Sequence, residues 1–420
     1  MKDIKIITIL ALAIIIGSLA FTIWNEKNDD DQIENKVIHH EDANDEDELV
    51  VEESQVEQQI KDMTIDEKIG QLIISSVPST SLTTDMRKLF DTYKVGGFIF
   101  FSHNFESEKQ ALSLINDLKS ANEHNDIPLF LSVDQEGGRV TRLPGLLPLP
   151  SNLQLSEQEN EALVYDYGEM LSQQLLQYGL NMNYAPVLDV LMQDENDAIG
   201  DRSFGDDVDI VSSYGIQLMH GLQDNRIIPV VKHFPGQGDV SEDSHEELPV
   251  NDKELDEVIE EEITPFQRAI NQGAEVVMVG HLLFTNIDDQ YPSSLSSIII
   301  SDLLRDGLAF DGVVITDDLM MKAITDEYSV AEAVELFIHA GGDIALVTSG
   351  VDSVGDVFYA IKEAVEKGDI SEERIDESVR RILLLKEKYE LQDQMVDQIE
   401  IEKLNDEIKQ LNKKMETPEQ

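Results

Sequence analysis

The stretch IIPVVKHFPGQGDVSEDSH, residues 227–245, passes from an apolar run into a loop crowded with ionisable side chains. The apolar run predicts a buried strand. Glycine and proline in the loop fix backbone angles that most residues avoid, and histidine is the side chain whose proton is most mobile near neutral pH. A strand that ends in such a loop indicates proton-transfer chemistry, and the chain is therefore predicted to be an enzyme.

Seven other apolar runs have the same form, and amphipathic stretches such as 208–223 and 330–340 separate most of them. Eight strands that alternate with helices predict an α/β fold of the (β/α)8 TIM-barrel type, with a doubly wound open sheet as the alternative. Asp134, Lys232 and Asp317 end different strands, which favours the barrel, because barrel sites draw on several strand ends. The eight runs are 70–75, 96–101, 129–134, 181–190, 228–234, 274–281, 312–317 and 343–348.

Acidic residues dominate the 420-residue chain, with 85 Asp and Glu against 31 Lys and Arg and a formal net charge of −54. Such a surface repels nucleic acid, so no nucleic-acid partner is expected. The chain has no cysteine, which excludes disulfides, thiol catalysis and a lipid-modified cysteine anchor.

Two segments precede the predicted barrel domain, residues 59–393. Residues 1–24 carry an uncharged apolar run with lysines before it and acids after it, which predicts a signal peptide or a membrane anchor, with the anchor favoured. Residues 25–58 are acidic without helical or strand period, and a disordered linker is expected. The enzyme is thus predicted to be a monomer outside the cytoplasm, anchored at the cell surface, or secreted if the segment is cleaved.

The tail, residues 394–420, carries apolar residues at alternating spacings of three and four, which predicts a helix. Two heptads are few for a coiled coil, and a helix packed on the barrel is favoured. Ser329 and Ser353 are predicted to cap helices. The apolar positions of the tail are Ile401, Leu404, Ile408, Leu411 and Met415.

Two motifs supply candidate proton-transfer and nucleophilic groups. Asp243 lies two residues before His245, where it can orient the imidazole and stabilise its charged form, so His245 suits a general acid and base. The strand at 312–317 delivers Asp317 to the barrel mouth, where a carboxylate can attack a sugar carbon or bind a metal. Alternation along a strand puts Asp318 on the opposite side, where it would suit a helix cap.

A third motif, DQEGGRVTR at 134–142, combines a strand-end acid, a glycine pair and two arginines, Arg139 and Arg142. Arg202 is an arginine of the same kind. Such groups suit a polyhydroxylated or carboxylated ligand. A metal site is the rival chemistry, but the sequence has no short His-x-His or HExxH arrangement, so no metal and no cofactor are expected. The residues considered for that metal site are His233, Asp243, His245 and His281.

At these motifs the chain resembles the bacterial β-N-acetylglucosaminidases of glycoside hydrolase family three, over about residues 63–389. The resemblance implies retaining, two-step hydrolysis of a terminal β-linked N-acetylglucosamine, with peptidoglycan fragments (muropeptides) as natural substrates. Gln237 departs from the pattern, because many members carry a second histidine there. The motifs are DQEGGRVTR (134–142), GDRSFG (200–205), KHFPGQGDVSEDSHEELP (232–249) and ITDDLMM (315–321).

The resemblance also assigns roles. Asp317 would be the nucleophile and His245 the acid/base, paired with Asp243. The residues that would hold the sugar are Asp134, Arg142, Arg202, Lys232 and His233. Two alternatives stay open: a β-glycosidase with another sugar preference, and an inactive surface protein that binds muropeptides.

Overall fold

The computed structural model describes residues 55–193, 196–240, 244 and 246–416. The predicted segment 1–24 and most of the predicted linker lie outside the described residues. Asp243 and His245 lie outside them as well, so their assignment stays a prediction.

Within the described residues, nine parallel strands form one sheet. In its hydrogen-bonded order, β5-β4-β3-β2-β1-β11-β10-β8-β6, the two end strands are β5 and β6. The strands are β1 Ile73–Ser76, β2 Gly97–Phe100, β3 Phe130–Val133, β4 Met182–Asn183, β5 Ile228–Pro229, β6 Val231–Phe234, β8 Val276–Val279, β10 Val313–Asp318 and β11 Ile344–Val347, and a separate pair joins β7 Val250–Asn251 to β9 Leu283–Phe284.

The two end strands are pieces of one continuous stretch, residues 228–234. Its first part pairs with β4 and its second part with β8. One stretch of chain therefore joins both ends of the sheet, and the sheet closes as an eight-stranded barrel. Each predicted apolar run overlaps a strand of this barrel. Two strands, β1 and β10, extend one residue beyond their runs, and the run 181–190 contributes only the two residues of β4.

Helices lie between the strands and form the outer layer. Two π-helical stretches, Ile259–Ile263 and Ile298–Gly307, accompany them. The helices are α1 Gln55–Asp62, α2 Ile65–Gln71, α3 Arg87–Asp91, α4 Glu108–Ala121, α5 Asn152–Ser156, α6 Glu161–Tyr178, α7 Val208–Gln223, α8 Leu255–Val258, α9 Thr264–Asn271, α10 Lys322–Thr325, α11 Val330–His339, α12 Gly350–Lys367, α13 Glu372–Lys388 and α14 Ile401–Glu416. None of these described helices is both long and apolar enough to cross a bilayer.

The tail helix α14 packs on the barrel, as predicted. Leu404, Ile408 and Leu411 on one side of it are buried. The Asn405 side chain accepts a hydrogen bond from the backbone N–H of Leu147 at 2.8 Å and donates one to a neighbouring carbonyl oxygen. The spacing of three and four thus marks the side of a helix that faces the barrel.

Three local expectations are corrected. The described residues open with helix α1 at Gln55, so the last four residues of the predicted linker are helical, and Glu57 is bound by Arg380 of α13. Ser329 caps α11 as predicted, but Ser353 lies inside α12, which begins at Gly350. Asp318 is not the cap of α10, whose N-cap is the residue before Lys322.

Candidate active site

A cavity of about 450 Å³ opens at the carboxyl ends of the barrel strands. This volume is in the range of small-molecule sites, about 300–1,000 Å³. Its walls come from the segments that follow β3, β4, β6 and β10, as the barrel prediction requires. The lining residues are Arg139, Val140, Asp197, Ala198, Arg202, His233, Gln237, Ser244 and Asp317.

Asp317 and Asp318, at the end of β10, point to different sides. Asp317 lines the cavity. Asp318 turns towards β11, where its Oδ1 accepts the backbone N–H groups of Met320 and Thr348, both at 3.1 Å. Burial raises the pKa of Asp318 to about 6. The prediction that only one of the two carboxylates faces the pocket is confirmed, and the one that does is the proposed nucleophile.

A buried ion network lies beside the cavity. Lys232, at 2% side-chain exposure, contacts Asp134 Oδ1 at 2.6 Å and Glu136 Oε1 at 2.7 Å. Arg202 donates two hydrogen bonds to the same Glu136 carboxylate, at 2.8 and 2.9 Å. The structure thus brings together three of the predicted sugar-binding residues, and Glu136 connects two of them.

Glu136 is a residue that the sequence analysis missed. Its burial alone would raise the pKa of its carboxyl, but Arg202 and Lys232 outweigh that effect and hold the pKa well below its ordinary value. Glu136 is therefore ionised, and the attraction is mutual, because it raises the pKa of Arg202. A signal was present: residues two apart in an extended segment face the same side, and Asp134 was already assigned to the site.

His233 is held by a second missed acid, Asp189. The Oδ2 atom of Asp189 lies 2.7 Å from His233 Nδ1, and its Oδ1 accepts the backbone N–H of Gln237 at 2.8 Å. The carboxylate is fully buried. It fixes the orientation of the imidazole and leaves Nε2 as the ring nitrogen available to a ligand. Asp189 follows the short strand β4, within a run that was predicted to be strand throughout.

The loop that carries the predicted proton-transfer pair reaches the cavity at Ser244, the residue between Asp243 and His245. Gln237 Nε2 donates to Ser244 Oγ at 3.2 Å. Gln237 is buried, and its carbonyl oxygen accepts from Asn196 at 2.8 Å. Gln237 therefore links Asn196 to Ser244 by hydrogen bonds, at the position where the resemblance expects histidine in many members.

Of the predicted sugar-binding residues, Arg202 and His233 line the cavity, whereas Asp134, Lys232 and Arg142 do not. Arg142 is not among the lining residues described, whereas Arg139 is, and Arg139 pairs with Asp201 at 2.9 Å. The Arg142 Nε atom is buried without a hydrogen-bond partner. Its role in sugar binding stays a prediction.

His281, which follows strand β8, is held inside the barrel by hydrogen bonds. Its Nδ1 lies 2.7 Å from Ser294 Oγ and its Nε2 lies 2.9 Å from the carbonyl oxygen of Asp318. Both ring nitrogens therefore have protein partners. In the described part of the chain, no group of three His, Cys, Asp or Glu side chains is arranged to hold a metal ion.

The fold and the cavity define a barrel enzyme whose strand ends collect carboxylates, an imidazole and cations at one polar cavity. Residues 64–385 match the family described as glycosyl hydrolase family 3 N terminal domain, and the chain belongs to this family. It is a glycoside hydrolase, as the resemblance predicted.

Similarity to individual proteins agrees with this assignment. The chain is 34% identical over 329 residues to the beta-hexosaminidase LpqI of Mycobacterium tuberculosis, covering 76% of this chain and 82% of that protein. The glycoside hydrolase family 3 beta-N-acetylglucosaminidase from Paenibacillus sp. str. FPU-7 superimposes with a TM-score of 0.79 at 36% identity, over 84% of this chain and 69% of that one. Beta-N-acetylhexosaminidase from Beutenbergia cavernae DSM 12333 gives a TM-score of 0.72 at 28% identity, over 78% and 99%.

Proposed function

We propose that this protein is an exo-acting, retaining β-N-acetylhexosaminidase that releases terminal β-linked N-acetylglucosamine. The observation that carries the proposal is the orientation of Asp317, which faces the polar cavity while its neighbour Asp318 is bound to Thr348. The names of the relatives LpqI and the Paenibacillus enzyme support the sugar preference.

In the first step, a carboxylate oxygen of Asp317 attacks the anomeric carbon of the sugar. The bond from that carbon to the leaving-group oxygen breaks, and the His245 imidazolium gives its proton to the departing oxygen. Asp243 stabilises the imidazolium before transfer. The products of this step are the released alcohol and a glycosyl ester on Asp317.

In the second step, neutral His245 takes a proton from water as the water oxygen attacks the anomeric carbon. The ester bond breaks and the Asp317 carboxylate is restored. Because both steps proceed with inversion, the β configuration is retained. A histidine in place of a second carboxylic acid avoids a second anion beside the glycosyl ester.

Sugar binding in this proposal uses the ion network beside the cavity. Asp134, Lys232 and Arg202 would bind hydroxyl and acetamide groups, with His233 contributing Nε2, and Arg142 completes the set implied by the resemblance. Glu136 and Asp189 would hold these residues in place without contacting the sugar. Buried, hydrogen-bonded supports of this kind keep binding groups at a fixed geometry.

We further propose that the natural substrates are muropeptides in which N-acetylglucosamine precedes a muramic residue, and that residues 1–24 place the enzyme outside the cytoplasm. The family resemblance supports the substrate, and the apolar run with its flanking charges supports the location.

The decisive test compares two neighbouring aspartates in hydrolysis of a fluorogenic N-acetylglucosaminide. Asp317→Asn should lower kcat by at least about 10³-fold, as loss of a nucleophile does. Asp318→Asn is the matched control, because it makes the same change one residue away on the side that faces Thr348, and it should retain most of the activity. Wild-type turnover by Asp317→Asn would exclude Asp317 as the nucleophile.

A second measurement tests the acid/base. His245→Ala should lose about 10²- to 10⁴-fold in kcat, and azide, which needs no general base, should restore turnover and yield a β-glycosyl azide. A variant that keeps full activity would remove His245 from the mechanism. Wild-type enzyme that prefers a glucoside would point to another β-glycosidase, and absence of turnover with retained muropeptide binding would point to a binding protein.

A further inference from the structure

Glu262 is a buried acid directly beneath the loop of the candidate site. It lies in the π-helical stretch Ile259–Ile263, and π-helical turns occur often at functional sites. The residue has 0% exposure, and neither carboxyl oxygen has a partner at full hydrogen-bond geometry, although the Gly238 amide is close enough to favour the ionised form. A buried carboxylate without such partners is costly, and its presence requires an explanation.

The groups around Glu262 are mostly acids. Lys253 Nζ is 3.8 Å from Glu262 Oε1, but it is shared with Asp239 and Glu261, each at 2.6 Å. Burial raises the pKa of Glu262 to about 8, and the charges of Asp189 and Asp239 act in the same direction, against the opposing effect of Lys253 and of the Gly238 amide. At neutral pH the Glu262 carboxyl is therefore neutral.

The turn above Glu262 has no spare room. Gly236 has φ +137°, in the region that favours glycine, and a Cβ atom there would overlap Glu262 Oε2. A Cβ atom on Gly238 would overlap the carbonyl oxygen of Val190. The turn is thus packed between the Glu262 carboxyl on one side and the segment after β4 on the other.

This turn is connected directly to both halves of the candidate site. Gln237, between the two glycines, takes its backbone position from Asp189, the acid that also fixes His233. Its side chain binds Ser244, the residue between Asp243 and His245. A displacement of the turn would therefore move His233, a predicted sugar-binding residue, and Ser244, which lies between Asp243 and His245.

We propose that Glu262 is a positioning residue, which supports the Gly236–Gly238 turn from beneath and through Gln237 holds Ser244, the residue between the proton-transfer pair, at the cavity. The inference rests on the proposed function, because it gives the loop its catalytic meaning. Glu262 performs this role as a neutral acid of matching shape. Once ionised, it repels Asp189 and Asp239 and needs hydration that the packed turn does not allow.

The direction of the pH effect follows from proton binding. The pKa of Glu262 in the folded protein is higher than its ordinary unfolded value, so the folded state holds more protons between about pH 4.5 and pH 8. The stabilising contribution is complete below the unfolded pKa and is lost as the pH rises through about 8. Glu262→Gln keeps the shape and cannot ionise, so it should not show this loss.

The test is the ratio of kcat for Glu262→Gln to kcat for wild type, measured from pH 5.5 to pH 9.5 with the fluorogenic N-acetylglucosaminide. Any ionisation of His245 occurs in both proteins, so its effect on kcat cancels in the ratio. The kcat ratio should be near one at pH 6 and rise several-fold by pH 9.5. At the alkaline end, the Tm of Glu262→Gln should also exceed the Tm of wild type. Glu261→Gln is the matched control, since it removes an exposed acid that binds the same Lys253, and its ratio should stay flat.

A flat ratio for Glu262→Gln, or a change in Tm without any change in the kcat ratio, would overturn the inference, because a merely structural residue would move only the stability. Failure of the proposed function is separate. If His245→Ala retains wild-type turnover, the proton-transfer assignment fails, whatever the Glu262 ratio shows. If His245→Ala is inactive and the ratio is flat, only the positioning role of Glu262 fails.

Discussion

The two ends of the barrel each bury a cluster of charge, and the two clusters differ in what lies beside them. At the amino end, Asp343 is fully buried and is bound by Arg305 at 2.5 Å, by Arg381 at 3.2 Å and by the Ser378 hydroxyl at 2.7 Å. At the carboxyl end, the Glu136 network stands beside the cavity that Arg202, His233 and Asp317 line. Arg381 of the amino-end cluster also lines a cavity, so neither buried charge nor charge on a cavity wall identifies an active site by itself. The carboxyl end is distinguished by the imidazole of His233 and the strand-end carboxylate of Asp317, which line the same cavity.

The largest expected effect comes from breaking the amino-end cluster. Asp343→Ala leaves buried arginines without their carboxylate and should reduce the free energy of unfolding by about 3–5 kcal/mol. Urea denaturation measures this change. The kcat of the remaining folded enzyme at low temperature should stay at the wild-type value, and a large fall in kcat would show that the two ends are not independent.

The matched control removes a different partner of the same arginine. Arg381 also contacts Asp311 at 3.1 Å, and the Asp311 side chain is 93% exposed. Asp311→Ala should change stability by less than about 1 kcal/mol, because exposed pairs contribute little. A loss as large as that of Asp343→Ala would contradict the importance given to burial.

The next effect should fall on binding rather than on stability. Glu136→Gln keeps the shape but removes the charge that holds Lys232 and Arg202, so kcat/KM for the N-acetylglucosaminide should fall about 10- to 100-fold, mainly through KM. Asp343→Asn makes the corresponding isosteric change at the other end of the barrel. If it raises KM as much as Glu136→Gln does, the contrast between the two ends is wrong.

The smallest effect is a pH dependence at the amino end. Burial lowers the pKa of Lys386 to about 7, and its Nζ donates to Gln71 Oε1 and to the carbonyl oxygen of Pro128, both at 2.7 Å. Between about pH 7 and the unfolded pKa near 10.5, the unfolded chain holds more protons, so this group adds stability as the pH rises. Lys386→Met should cost about 1–3 kcal/mol through unsatisfied acceptors. Urea denaturation at pH 7 and pH 9 should show a larger cost at pH 9, and a constant cost would refute the shift.

The barrel was predictable because its strands are buried on both sides and read as short apolar runs. The side on which Asp317 lies was predictable too, from alternation along one strand. The spacing from Asp134 could have pointed to Glu136, but the contacts that Glu136 and Asp189 make were not predictable, since they join distant parts of the chain. Arg202 and Glu136, for example, are 66 residues apart. Likewise, two arginines three residues apart on a loop look equivalent in sequence, and only the folded loop turns Arg139 rather than Arg142 to the cavity.

The position of α1 has a consequence for how the enzyme meets its substrate. Gln59 and Asp62 of this helix line a cavity together with Lys94 and Ile127, which precede β2 and β3, so the chain enters the barrel at its amino end. The candidate site opens at the opposite end. If residues 1–24 hold the protein at a membrane, as the sequence predicts, the attachment joins the barrel at the end away from its mouth and leaves the candidate site unobstructed.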